Sequence, residues 1–384
     1  MVPNPFRQAL PIEIILLLTM QTIVDKIIHC LVITMLLLVI SSVHHSAIGQ
    51  VNSSKSVING SSDIKPFIRK FDTLINVKIN FNTDFERFII KSNQYNIDLR
   101  PNIAISNRVY FSYRYISFTF GFRLRFLPFN NDDDLQGKTD AWSVGVSMNS
   151  RWIQDLNLGY IKGFYLKNMA GFDVDWIEGK DPYLQFPETI ISYLNGQTGY
   201  KFNPHFSLKA IHSQSEKQLR NAGSFIPVLS YDFYVFDNEN EANQTSSQQS
   251  ANLRMILNPG YAYTFVLRKH FYLSIHLSPG IGFQHTQLLT RTTTGDLTNR
   301  YTDAVYRLAE RVGIGYQGRR FFAGSEVLFS QLSQRVNHSG MHQSANRTYF
   351  QIFAGYRFNA PRFLKKATDE AKELVPAPIQ NILE

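Results

Sequence analysis

One cysteine occurs in the 384 residues, Cys30. It sits in an N-terminal apolar stretch, so a processed chain would hold no thiol, and disulfides, cysteine metal sites and cysteine redox chemistry are excluded. Charge is sparse too, at 18% of residues. A mean hydropathy of −0.18 nevertheless argues against a bundle of membrane helices. No Gly-x-Ser-x-Gly, His-Glu-x-x-His or His-x-x-Glu-His string is present. There is no basic run with interleaved aromatics on a recognisable module, so nucleic acid is not an expected partner.

What the chain has in quantity is aromatic rings, with 30 Phe and 19 Tyr. Residues 116–126 (ISFTFGFRLRF) show how they are used. Ile116, Phe118, Phe120, Phe122, Leu124 and Phe126 fall on one face of a strand, and Ser117, Thr119, Gly121, Arg123 and Arg125 on the other. One face needs a nonpolar medium and the other needs water, as in the wall of a membrane-spanning β-barrel. An arginine facing lipid at the midplane costs roughly 2–4 kcal/mol, which turns the arginine face inward.

The N-terminus reads as an export signal. Lys26 and His29 precede the apolar run 31–40 (LVITMLLLVI), and Ala47 and Gly49 stand where a signal peptidase reads small residues. Cleavage between Gly49 and Gln50 is expected, and a start at Met20 would give a leader of ordinary length. An uncleaved inner-membrane anchor is the alternative, because residues 12–18 add a second apolar stretch. Cys30 precedes the apolar run, which argues against a lipoprotein. Loss of Arg7, Lys26, Glu13 and Asp25 leaves the net charge at +9. Such a charge attracts anions, lipopolysaccharide phosphates among them.

Residues 50–65 are Ser/Asn-rich, a periplasmic lead or linker is expected over 50–70, and the barrel domain over 71–358. The β pattern begins near Phe71. Its clearer strands are 94–102, 107–115, 116–126, 139–149, 151–164, 187–202, 205–216, 223–236, 252–268, 270–288, 303–317, 320–335 and 346–358. Tight links at 202–205, 267–270 and 317–320 alternate with long polar connections at 165–186, 237–251, 289–302 and 336–345. Short periplasmic turns and long outer loops are the known asymmetry of such barrels. That count is odd where an even one is expected, and an extra strand within 231–237 would restore the alternation. The fold class is therefore all-β, an antiparallel transmembrane barrel of about 12–14 strands.

The last strand carries Phe350, Ile352, Ala354, Tyr356 and Phe358 on one face and ends on an aromatic, as signals for the barrel-assembly machinery do. Beyond it, 359–384 is a periplasmic tail. Residues 362–375 mix Lys with Asp and Glu at helical spacing before Pro376. A solvated helix is the plain reading, and contact with peptidoglycan or a periplasmic partner protein the sharper one.

Several strings together resemble a known family. These are Leu99-Arg100-Pro101-Asn102, Phe111-Ser112-Tyr113-Arg114-Tyr115, Gly137-Lys138-Thr139, Lys162-Gly163-Phe164-Tyr165-Leu166, Ala222-Gly223-Ser224-Phe225, Pro259-Gly260-Tyr261 and Gly355-Tyr356-Arg357-Phe358. Across about 70–358 the chain is similar to the domain of unknown function 4421 family of exported, outer-membrane-type proteins. The resemblance implies a barrel in the outer membrane of a Gram-negative bacterium and implies no reaction. Phe71-Asp72-Thr73 departs from the Tyr-Asp-Thr expected there, and Phe164 stands where Tyr is commoner.

Candidate chemistry is thin, and no catalytic, metal or cofactor site is assigned. Gly137-Lys138-Thr139 lacks the earlier glycine of a phosphate loop, since position 132 is Asp. Asn130, Asn131, Asp132, Asp133 and Asp134 could hold Ca²⁺ or a lipopolysaccharide-bridging Mg²⁺, but a solvated acidic loop fits better without EF-hand spacing. His338 and His342 lie four apart in a loop rather than on a helix, and His276 and His285 point to opposite strand faces. A barrel enzyme acting on lipid or peptide at the outer rim would have to use His212 with Ser213 and Ser215, or His338 with Ser339.

The better pointers are the arginines that parity places inward: Arg114, Arg123, Arg125, Arg307, Arg311 and Arg357. They could line an anion-favouring pore or fill a closed interior with ion pairs. Strict alternation puts Glu310 on the lipid face beside Leu308 and Val312, so a bulge or an interfacial position is expected there. The leading expectation is a non-enzymatic outer-membrane barrel in solute passage or envelope organisation, in contact with outer-membrane lipid and lipopolysaccharide. A soluble, lipocalin-like barrel with an apolar lumen is the remaining alternative.

Overall fold

The computed structural model describes residues 66–83, 88–91, 96–127, 130–238, 246–335 and 342–373. The expected leader, with Gly49 and Gln50, lies outside the described residues, as does His338. In chain order the first strands are β1 (Ile68–Lys70), β2 (Leu74–Asn82), β3 (Phe88–Lys91), β4 (Asn96–Arg100), β5 (Ser106–Tyr113) and β6 (Ile116–Phe122). The short helix α1 (Asp133–Gln136) is followed by β7 (Asp140–Asn149), β8 (Trp152–Leu166), β9 (Gln185–Tyr200), β10 (Glu216–Gln218) and β11 (Ala222–Asn238). Next come β12 (Ser246–Arg268), β13 (Phe271–Thr292), β14 (Leu297–Gln317), β15 (Phe321–Arg335), β16 (His342–Asn359) and the helix α2 (Arg362–Glu373).

Twelve of these strands close into an antiparallel ring, β2-β5-β6-β7-β8-β9-β11-β12-β13-β14-β15-β16, with β16 returning to β2 and β8 joining β9. Closure leaves no strand edge, so backbone polar groups pair within the wall, as lipid requires. Antiparallel partners share a face, and the registers carry one apolar face around the barrel: Phe111 opposite Phe118, Phe120 opposite Val144, Leu257 opposite Ile281. Phe118 and Ile281 leave 55% and 57% of their surface exposed, a loss for a soluble protein and a gain in hydrocarbon. The inward face of β2 is polar and buried, with Asn76, Lys78, Asn80 and Asn82. A soluble, lipocalin-like barrel has the opposite polarity.

Twelve is the even count, reached differently from the sequence reading. Residues 231–237 belong to one continuous strand, β11, and supply no extra one. The 94–102 segment contributes β4, which pairs with β3 and only with the end of β8. A wall strand stands instead at 74–82, where Ile75, Val77, Ile79 and Phe81 alternate with Asn76, Lys78, Asn80 and Asn82. The segment 205–216 forms no wall strand either, although Phe206, Leu208 and Ala210 alternate with Ser207 and Lys209. It folds inside the ring. There the wall receives both faces of the segment, so period two no longer separates lipid from lumen.

β6 ends at Phe122, so Arg123 and Arg125 lie past the strand in the 123–139 connection. Glu310 needs no bulge, because β14 stays in register across it, opposite Leu277 on β13 and Phe329 on β15. Short turns gather at one end of the barrel, at 114–115, 150–151, 269–270 and 318–320, where the 201–221 connection also lies, and the remaining connections gather at the other.

Candidate functional site

The functional candidate is the lumen at its short-turn end, where residues 201–221, between β9 and β11, fill the interior. Phe206 and Leu208 pack on Ile153, Ala222, Ile226 and Ala262 from β8, β11 and β12, so apolar burial pins one side of the segment to the wall. Within it, Lys201 Nζ donates to the Phe206 carbonyl and Ser207 Oγ to Glu216, which also pairs with Lys209 at 3.6 Å. β10 adds to β1, with Arg69 opposite Lys217, so residues just before the barrel strap the segment from below. Residues 68–70, within the lead or linker expected over 50–70, make that pairing with β10.

The other side of the plug is held by polar groups of the wall. Arg357 on β16 donates from Nε (3.0 Å) and Nη2 (2.7 Å) to the Gln214 carbonyl and from Nη1 to the Gly318 carbonyl. Its guanidinium lies between the rings of Phe71 and Phe322, at 4.2 and 4.6 Å. Gln317 donates to the Ala210 carbonyl and to Gln214 Oε1, while Lys217 donates to the Gln317 carbonyl. Lys78 Nζ donates to the His212 carbonyl at 2.6 Å and sits over the Tyr110 ring. Asn76 donates to the Ser213 carbonyl. Gln214 itself takes φ +58, the left-handed region that an L side chain adopts only under compensation.

Titratable groups of the plug are shifted by enclosure. Burial pushes the Lys201 ammonium down to about 8, with Glu216 opposing. Lys217 also falls to about 8, from burial and the nearby Arg69 and Arg357. Burial, with Arg311 and Lys78 nearby, holds His212 well below the usual imidazole range, so it is neutral at pH 7.

The six sequence-selected arginines divide into two groups. Arg307, Arg311 and Arg357 are on inward positions of β14 and β16; Arg311 pairs with Glu326 of β15 at 2.6 Å, and Arg357 grips the plug. The other three lie outside the wall strands. Arg114 occupies the β5–β6 turn and pairs with Asp369 of α2. Arg123 donates to the Thr139 and Asn130 carbonyls and to Asp133, and Arg125 pairs with Asp140. Acidic residues of the 130–140 segment draw these two out of the strand path.

The remaining candidates are engaged in architecture. Asn130 Oδ1 accepts from the Ala104 and Ile105 amides, and Asp133 accepts from Asn102 and Arg123. Thr139 Oγ1 donates to the Gly163 carbonyl. His212, Ser213 and Ser215 sit in the plug rather than at the long-loop rim, and the two serine hydroxyls share a hydrogen bond of 2.8 Å. His276 is inward, and His285 is on the outward face with Thr302. The plug contacts of Gln214 and Gln317 were not foreseeable from strand parity. The one local signal was the failure of the short-long alternation of connections after β9.

Comparison with known proteins adds the following. The model of a domain of unknown function (DUF4421) matches residues 63–358. No curated protein matches the chain. Among solved structures, the outer-membrane protease OmpT of Escherichia coli is 12% identical, covering 76% of this chain and 98% of its own, with a TM-score of 0.34. An outer membrane channel from Pseudomonas putida F1 is 9% identical, covering 77% and 100%, with a TM-score of 0.33. The β domain of the Bordetella autotransporter BrkA is 12% identical, covering 75% and 100%, with a TM-score of 0.31. These likenesses carry no activity over to this chain.

Proposed function

This chain belongs to the DUF4421 family, and from that premise we propose that it acts in the outer membrane of a Gram-negative bacterium as a normally closed, non-enzymatic solute passage. One observation carries the reading: the 201–221 segment plugs the short-turn end and is bonded to the wall through Arg357, Gln317, Lys78 and Asn76. A barrel serving only to organise the envelope has no need of such a plug. A standing pore would lose conductance to it. The inward Lys78, Arg307 and Arg311 bring positive charge to the lumen, which supports a preference for anions once the plug moves.

The test is conductance in planar bilayers, comparing the full chain with a variant in which residues 205–217 are replaced by a short glycine-serine turn. Heat-shifted gel migration first establishes that both are folded barrels in the outer-membrane fraction. The full chain is expected to stay closed, or to open briefly, and the plugless variant to conduct steadily with anion preference. Steady conductance by the full chain, or a closed plugless barrel, overturns the proposal.

A further inference from the structure

The four short turns share one sign of charge. Arg114, Arg151, Lys269 and the pair Arg319 and Arg320 stand in them, and none of the four holds an acid. A turn that only needs water takes either sign, as 173–181 does with Asp173, Asp175, Glu178 and Asp181 beside Lys180. The bias is densest at the ends of β12–β16. There Arg268 closes β12 and Lys269 follows it, while the Gln317 amide donates to the His270 carbonyl at 2.7 Å and so joins that turn to the next, 318–320. Arg320 is engaged with the wall, donating to the Arg357 carbonyl and to Asn359 Oδ1. Arg268, Lys269 and Arg319 are exposed and form no ion pair among the described residues. No Asp or Glu occurs in 261–276, 311–325 or 351–368, so the adjoining strand ends supply no counter-charge.

These cations adjoin an aromatic row on the lipid face. The rings of Phe271 and Tyr316 meet edge-on at 5.3 Å, those of Tyr316 and Phe321 lie 6.3 Å apart, and Phe321 is in register with Tyr356. Such rows stand at the headgroup level of a bilayer. Lys269 is two residues from Phe271, and Arg319 two residues from Phe321, so their long side chains reach the depth of the lipid phosphates. The surface is thus continuous from the apolar wall, through the rings, to unneutralised positive charge. A zwitterionic headgroup offsets its phosphate with its own ammonium, whereas a phosphodiester bearing net negative charge matches a cluster that has no acid of its own.

We propose that Arg268, Lys269 and Arg319 form a site for the headgroup phosphate of an anionic phospholipid in the leaflet at the short-turn end, with the lipid's chains lying along the Phe271, Tyr316 and Phe321 row.

The test is electron paramagnetic resonance of the full chain in phosphatidylcholine vesicles that hold a trace of spin-labelled phosphatidylglycerol or spin-labelled phosphatidylcholine. The spectrum gives the share of label held at the protein surface. Phosphatidylglycerol should be preferred about fivefold, the worth of one Lys or Arg near an anionic headgroup, and molar salt should remove the preference. The triple variant Arg268→Gln, Lys269→Gln, Arg319→Gln should abolish it. A control with the same loss of charge among the long connections, Lys138→Gln, Lys180→Gln, Arg300→Gln, should retain it. Heat-shifted migration reports folding of every variant. Equal retention of the two lipids, no effect of the triple variant, or an equal loss in the control each overturns the proposal. So does displacement of the label by excess inorganic phosphate at constant ionic strength, which would mark a site for free anions instead.

Discussion

Arg357 on the last strand closes on the backbone of Gln214 at the centre of the plug, two N–H groups of one guanidinium meeting one carbonyl oxygen. A fully buried cation is thus satisfied by backbone carbonyls and two aromatic faces rather than by a carboxylate. The wall's final strand and the lumen's occupant are held by the same side chain.

Replacing Arg357 by Ala should loosen the plug and leave the barrel. Hydrogen bonds to charged groups contribute about 1.5–3 kcal/mol each, so docking should weaken by on the order of 3 kcal/mol. Limited proteolysis should then cut within 205–217 while heat-shifted migration is unchanged. Unaltered protection of that segment would show that Arg357 does not hold it.

At Gln214 the backbone and the side chain pull in different directions. Both Gln214→Gly and Gln214→Ala lose the bonds to Tyr272 and Gln317, but glycine relieves the positive φ, worth about 1 kcal/mol, whereas alanine keeps the strain. Amide exchange across 210–218 should be faster in both variants, and fastest in Gln214→Ala. A slower exchange in Gln214→Ala than in Gln214→Gly would contradict the assignment of strain to this residue.

The pH dependence of docking follows from Lys201 and Lys217. Their pKa values are near 8 when docked and 10.5 when free, so the undocked plug binds more protons. Docking carries the full penalty of charging below pH 8 and strengthens as pH rises from 8 to 10.5. A fluorophore on Asn203→Cys, in the Cys30→Ser background, should report a more firmly docked plug at pH 10 than at pH 7.5. Lys201→Met should remove part of that slope; release of the plug on raising the pH would reverse the sign argued here.

Selectivity should follow the inward pair of Arg311 and Glu326. In the plugless variant, Arg311→Glu places two carboxylates on diagonal inward positions of β14 and β15 and should move the reversal potential in a salt gradient toward cations. Glu326→Gln should move it further toward anions. No shift in either variant would mean that ions do not pass this level of the lumen.

The membrane-facing half of this fold was legible because lipid imposes a rule that each strand must obey by itself. Phe118 and Phe120, or Ile275 and Leu277, show it within a few residues, and by the same parity Arg307, Arg311 and Arg357 take inward positions. Arg123 and Arg125 obey the same parity yet leave the wall, because Asp133 and Asp140 compete for them from a loop that alternation cannot see. The stretch from Phe206 to Ala210 alternates as a wall strand does, and only the presence of twelve other strands leaves it inside the ring.

By itself, then, the sequence determined which residues face lipid, since that choice depends only on a residue and its neighbours two positions away. Tertiary structure decided what the lumen contains. Plug contacts such as Arg357 with Gln214 or Lys78 with His212 join residues more than 130 positions apart, and they form only after the ring has closed around the segment. Inside that ring any polar face can find a partner, so period and polarity no longer distinguish a wall from what it encloses.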